Sequence, residues 1–214
     1  MTTFNRQDHV YINSELEEII KDTIRFFNGT PVYRIPSPER FHGAGVYAIY
    51  CVAKTGAYKD FHQINRTSFD TPIYVGKAVP QGWRQGRISK ESQKYEMHNR
   101  IRDHSRSIEL GKGLKLSDFH CRFMILESIE TDLIGTVEAA LIRKYKPIWN
   151  TLLDGFGNHD PGSGRYEQAK SDWDICHPGR LWAKKCKGKS GSRSLLLASV
   201  KEFMGKSVSN EKVD

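Results

Sequence analysis

The chain has 214 residues, 38% of them hydrophobic, with 33 basic against 25 acidic side chains and a net charge of +8. That length admits one domain with extensions, or at most two small ones, and the composition is apolar enough for a true core. The positive balance suits a polyanionic partner such as nucleic acid. A membrane protein is excluded as an expectation: no run approaches transmembrane length and the opening MTTFNRQDHV has no apolar signal core.

Residues 14–27 predict a helix, because Ser14 and Glu17 have capping-box spacing and Leu16, Ile20, Ile24 and Phe27 share one face. Residues 31–44 carry three prolines and read as a connector. Strands are expected over 45–52 and 73–79, separated by a polar stretch, 54–72, that reads as a long hairpin insertion. The basic loop PQGWRQGRISK follows, with Arg84, Arg87 and Lys90. Then come a helix over 92–110, a strand over 119–128, and a helix over 132–145 that Thr131 or Asp132 can cap and Lys146-Pro147 stops. Residues 148–168 are loop-rich, and LLLASVKEFM (195–204) is a candidate final helix. The tail has seven basic residues and no acidic one between Asp174 and Glu202.

This order predicts an α+β domain, a small antiparallel sheet with helices packed on it. The expectation is a single domain over 1–214: a core at 43–150, the 54–72 insertion, and a basic C-terminal extension at 170–214. The four cysteines form no CxxC pair and imply no disulfide framework, which favours a reducing, cytoplasmic compartment. Cys176, His177 and Cys186 lack a fourth zinc ligand at usual spacing.

Several polar residues can carry chemistry. At ~100° per residue, Glu138 falls inside the apolar arc of Leu133, Ile134, Val137, Leu141, Ile142 and Tyr145. A carboxylate there either snorkels to water or is paired or metal-bound, since an unpaired buried charge is costly. As a ligand it would suit Mg²⁺ or Mn²⁺ with water completing the shell. Arg100 and His104, four apart, share a helix face, the first suited to a phosphate and the second to orienting water. Arg102 and Arg106 are rivals for the phosphate and His98 for the histidine role, and the whole run also reads as a solvated face. Tyr47 and Tyr74 sit beside glycines that would let a phosphate backbone approach closely. A tyrosine acts as base only if its pKa falls from about 10, and Lys77, three residues after Tyr74, is placed to assist. Asn150 is a neutral hydrogen-bonding group or a simple turn residue.

The order GVY (45–47), YVG (74–76), Arg100-x₃-His104, Glu138 and Asn150 resembles the GIY-YIG nuclease superfamily over about residues 43–150. The resemblance implies a three-stranded antiparallel sheet flanked by helices and metal-dependent hydrolysis of DNA to 5′-phosphate and 3′-hydroxyl ends. It implies that Tyr47 is the general base, assisted by Tyr74, and that Arg100 stabilises the transition state. His104 would relay a proton, Glu138 bind the metal and Asn150 position its neighbours. The long interval between the tyrosine motifs and the basic tail look most like the type II restriction branch, some members of which are homodimers that cut a GC-rich palindrome. Twofold symmetry suits a double-strand cut, and the N-terminal helix and 54–72 are the expected dimer elements. Arg84, Arg87 and Arg193 are candidates for guanine readout, and Arg102, Arg106, Lys184 and Lys185 for the DNA backbone. The competing readings are a catalytically idle nucleic-acid-binding module on the same fold, a GIY-YIG nuclease of repair or homing type, and a structural or RNA-associated basic protein.

Overall fold

The computed structural model describes residues 3–37, 39–86 and 94–210. Its centre is a sheet in which every neighbouring pair is antiparallel, in the order β1 (Val32–Arg34), β4 (Phe119–Ile125), β2 (Gly45–Cys51), β3 (Tyr74–Ala78). The helices are α1 (Ser14–Gly29), α2 (Phe61–Asn65), α3 (Glu96–Leu110), α4 (Ile134–Tyr145), α5 (Ile148–Thr151), α6 (Asp172–Cys176) and α7 (Arg193–Asn210). The α+β class holds, but the sheet has four strands, not three. The extra strand, β1, hides between Pro31 and Pro36, pairing Val32, Tyr33 and Arg34 with Arg122, Cys121 and His120.

Both faces of the sheet are covered, so β2 is buried at all seven positions. Alternation sends Tyr47, Ile49 and Cys51 into one core, with Met97, Ile101 and Ile108 of α3. Val46, Ala48 and Tyr50 enter the other, with Phe27 of α1 and Ile134, Val137 and Leu141 of α4. An antiparallel strand buried on both sides reads as a continuous apolar run, which is what AGVYAIYCV shows.

Three local details differ from the sequence pattern. The α1 cap is Asn13, whose Oδ1 accepts from the Glu15 N–H at 2.8 Å, so Ser14 is already helical. A 3₁₀ turn over Ser128–Leu133 leads into α4, and the Thr131 hydroxyl donates within it to the Ser128 carbonyl at 2.7 Å instead of capping. The 54–72 segment does join the adjacent antiparallel strands β2 and β3, as a hairpin insertion should, but it is not a bare loop. It carries α2 and buries Tyr58, Phe61 and Asn65, and the Asn65 amide bridges the Cys51 and Thr71 carbonyls at 3.1 and 2.9 Å.

The Tyr58 hydroxyl joins this segment to the C-terminal extension. It accepts from Trp149 Nε1 at 2.9 Å and lies 2.7 Å from His177 Nε2. His177 Nδ1 lies 3.2 Å from the Lys112 carbonyl, which can only accept, so Nε2 is the unprotonated nitrogen and accepts the hydrogen bond from the Tyr58 hydroxyl. Burial pushes the His177 pKa down to about 4. A proton therefore binds the unfolded chain first. This contribution to stability is full above about pH 6.5 and is lost as pH falls toward 4, by at most about 3 kcal/mol. Thermal melts should show a midpoint that drops across that window. In His177→Gln, which cannot titrate, the drop should be smaller, and an unchanged slope would show that His177 is not its source.

Candidate active site

β3 is the free edge of the sheet. Beyond it α3, from one layer, and α4, from the other, come together around a cleft of about 580 Å³ lined by Tyr74, Lys77, Asn99, Arg100, Glu138 and His159, among others. On α4, the Glu138 side chain is only 18% exposed, and it does not snorkel: Lys77 Nζ donates to its Oε2 at 2.5 Å. Lys77 therefore gives its charge to Glu138. Strand alternation explains this, because residues three apart on β3 point to opposite faces, sending Lys77 away from the Tyr74 ring.

On the α3 side, the Tyr47 hydroxyl lies 2.5 Å from Nε2 of His104, both fully enclosed. The Tyr74 ring stands 6.2 Å from that of Tyr47 and 5.2 Å from that of His104, and the Phe156 ring stacks on His104 at 4.5 Å with 19° between planes. Burial drives the Tyr47 pKa well above its usual value, with a further push from Tyr74 against a smaller lowering by Arg100. Burial also raises Tyr74 and drives His104 well below the histidine range, with Arg100 adding to the latter. The lowered tyrosine pKa that a free phenolate base requires is therefore absent. The pair at rest is a protonated tyrosine and a neutral histidine; in the tautomer protonated on Nδ1, Tyr47 donates to Nε2.

Gly76 explains how two tyrosines fit. It sits opposite Tyr47 in the β2–β3 register, and a Cβ there would lie 2.5 Å from the Tyr47 hydroxyl and 2.9 Å from the Tyr74 ring. The glycine makes room for the tyrosines rather than for a phosphate backbone. Arg100 points into the cleft: Nη2 donates to the Gly157 carbonyl at 2.8 Å and Nη1 to a ring nitrogen of His159. Asn150 stands behind the site. Its Oδ1 accepts from the Val75 N–H and its Nδ2 donates to the Val75 carbonyl, each at 2.8 Å, so it takes the place of a neighbouring strand.

The other basic candidates are scattered. Arg106 and Lys185 line a second groove, of about 450 Å³, that shares Asp103 and His159 with the cleft. Arg102 and Lys184 are exposed. Arg193 opens α7, and its Nε donates to the Cys176 carbonyl at 3.1 Å. The backbone of Arg84 lies in the turn Trp83–Gln85, and Arg87 and Lys90 fall outside the described residues. His98 sits edge-on to Phe41 at 5.9 Å and does not line the cleft. His159 was missed by sequence reasoning, although a histidine in the glycine-rich run FGNHD was its one visible signal.

A family model described as the Eco29kI GIY-YIG domain matches residues 39–204. The chain belongs to that family. It is thus a GIY-YIG nuclease of restriction-endonuclease type, and the match takes in α6 and most of α7, well beyond the segment ending at Asn150. No curated protein matches the chain. GIY-YIG nucleases generally depend on a divalent metal, and the Glu138 carboxylate, on the wall of an open cleft, suits one. Among the described residues no three His, Cys, Asp or Glu side chains converge, so Glu138 would be the ion's protein anchor and water its remaining shell. No helix among the described residues is long and apolar enough to cross a membrane.

Gly76→Ala is expected to cost about 1–3 kcal/mol in chemical denaturation, since the methyl group has no space. It should also remove most nuclease activity by displacing both tyrosines. Full activity at wild-type stability would contradict the packing described.

Proposed function

We propose that the chain is a Mg²⁺- or Mn²⁺-dependent type II restriction endonuclease. It acts as a homodimer on double-stranded DNA at a specific, GC-rich palindrome, in the cytoplasm, and leaves 5′-phosphate and 3′-hydroxyl ends. The observation that carries this reading is the Tyr47–His104 pair standing behind a cleft whose walls hold Tyr74, Arg100 and Glu138.

Hydrolysis requires that a water lose a proton as its oxygen attacks phosphorus and the 3′-oxygen departs. Tyr74 lines the cleft and is the first tyrosine a water meets, whereas Tyr47 lies behind it. Neutral His104 is the final acceptor: Tyr74 takes the water's proton as it passes its own to Tyr47, and Tyr47 passes its own to His104, so no tyrosinate need accumulate. Arg100 keeps three N–H groups beyond the two given to Gly157 and His159, and can offer a planar pair of donors to the phosphate as its charge grows. A divalent ion bound at Glu138 would neutralise phosphate charge and assist the leaving oxygen. Asn150 fixes the backbone between Tyr74 and Gly76, and Lys77 orients the Glu138 carboxylate.

The groove holding Arg106 and Lys185 opens beside the cleft and suits the DNA strand flanking the scissile phosphate. Arg84, Arg87, Arg102, Lys184 and Arg193 are further candidate contacts, the arginines suited to guanine edges. A second copy would cover the N-terminal arm, where Tyr11, Ile12 and Phe26 are 82%, 85% and 65% exposed. The DNA-bound protein should then sediment at twice the chain mass, and a monomer on a cut site would refute the dimer.

Plasmid DNA with Mg²⁺ tests the chemistry. Wild-type protein should give discrete fragments. Glu138→Ala and Tyr47→Phe should each cut at least ~100-fold more slowly while still retarding DNA in a gel. Binding without cutting in any divalent metal would instead favour the idle binding module. Wild-type cutting by Tyr47→Phe would remove Tyr47 from the relay.

A further inference from the structure

The strip Gly155–His159 touches nearly every part of the proposed machinery. Phe156 stacks on His104 and meets Tyr74 edge-on at 4.8 Å. The Gly157 carbonyl and the His159 ring accept from Arg100. A Cβ on Gly157 would lie 2.5 Å from the Tyr74 hydroxyl, so the strip's backbone is pressed against that tyrosine. Yet the strip has no helix or strand of its own, and it includes two glycines, one at φ +91°. Something else must hold it.

That something is Arg180, from the C-terminal extension, which is 3% exposed. It donates to the carbonyls of Gly155 at 2.9 Å, Phe156 at 3.0 Å and Asn158 at 3.1 Å. It also donates from Nε and Nη2 to the two oxygens of Asp174 on α6, each at 2.7 Å. Those five bonds use all five N–H groups of the guanidinium. Trp173 and Trp182 lie against it at 4.6 and 4.7 Å, and the Ser171 hydroxyl donates to Asp174 at 2.8 Å. A buried cation so fully satisfied has no donor left for a phosphate, although it borders the second groove. Its reach over three loop carbonyls is a property of a planar fork that an ammonium group lacks.

We propose that Arg180 is a positioning residue for DNA cleavage. By tying down the carbonyls of 155, 156 and 158 it sets where Phe156, Gly157 and His159 stand, and through them Arg100, Tyr74 and His104. The C-terminal extension is then part of the active site as well as a basic surface. The inference rests on the nuclease reading above.

The test is single-turnover cleavage of plasmid DNA with Mg²⁺, below the melting temperature of each variant, with DNA affinity measured separately in Ca²⁺. Arg180→Lys should lower the rate ~100-fold, the scale of a misplacement of about 1 Å, while affinity changes less than about threefold. In an Arg100→Ala background the same substitution should cost less than about tenfold, because part of its effect passes through Arg100. An undiminished loss in that background, a loss confined to affinity, or a wild-type rate would each overturn the proposal. Should Arg180→Lys not fold, Gly157→Ala disturbs the strip against Tyr74 without touching Arg180. It should reproduce the pattern of slow cleavage with retained affinity, and a wild-type rate there would equally overturn the proposal. Wild-type protein that leaves the plasmid uncut with Mg²⁺ and Mn²⁺ would overturn the nuclease reading itself, and this inference with it.

Discussion

A hydroxyl group placed in the middle of a fully buried strand sets the terms for the rest of this molecule. β2 has cover on both faces, so the Tyr47 hydroxyl cannot reach water and needs a partner inside the core. His104 is that partner, and accepting the role leaves the imidazole neutral and enclosed. The opposite residue in the register must then be a glycine, and the ring of Phe156 must close over the histidine. Each of these follows from putting a polar group where only apolar groups are cheap.

The second constraint is the open edge of β3. An unpaired strand edge invites adhesion, and here it is managed from two directions. The Asn150 amide satisfies both backbone groups of Val75, and the Lys77–Glu138 pair spans from the strand to α4. The edge thereby becomes the floor of a cleft with one wall from each layer of the fold. A sheet that continued past β3 would have no room for it.

Much of this was legible in the sequence. The order of strands and helices came from periodicity, and the residues at Tyr47, Tyr74, Arg100, His104, Glu138 and Asn150 came from their order along the chain. The losses have physical causes. β1 is three residues between prolines, too short for any pattern to show. The packing of the 54–72 segment is hidden because one of its buried groups, Asn65, is polar, and because Tyr58, Phe61 and Asn65, though three and four apart as on a helix face, lie in and just before a helix of only five residues. Lys77 looked like a neighbour of Tyr74 because sequence distance ignores which side of a strand a residue faces. Arg180 was counted among the seven cations of the tail, since composition cannot separate a buried guanidinium from a solvated one. The spacing suits His104 to orienting water or relaying a proton, and only the fold shows that it is the innermost member of its group.

The clamp at Arg180 and the Tyr58–His177 bond share a further consequence, which concerns time rather than space. A chain emerging from the ribosome displays all its motif residues once Asn150 is out. Even when the strip 155–159 has followed, it has no guanidinium to hold it, and Tyr58 has no histidine to accept its hydrogen bond. The bonds that hold the strip can form only once the residues up to Arg180 have been made. A chain that ended before Arg180 would therefore carry every motif residue and still lack the anchor of the strip beside them.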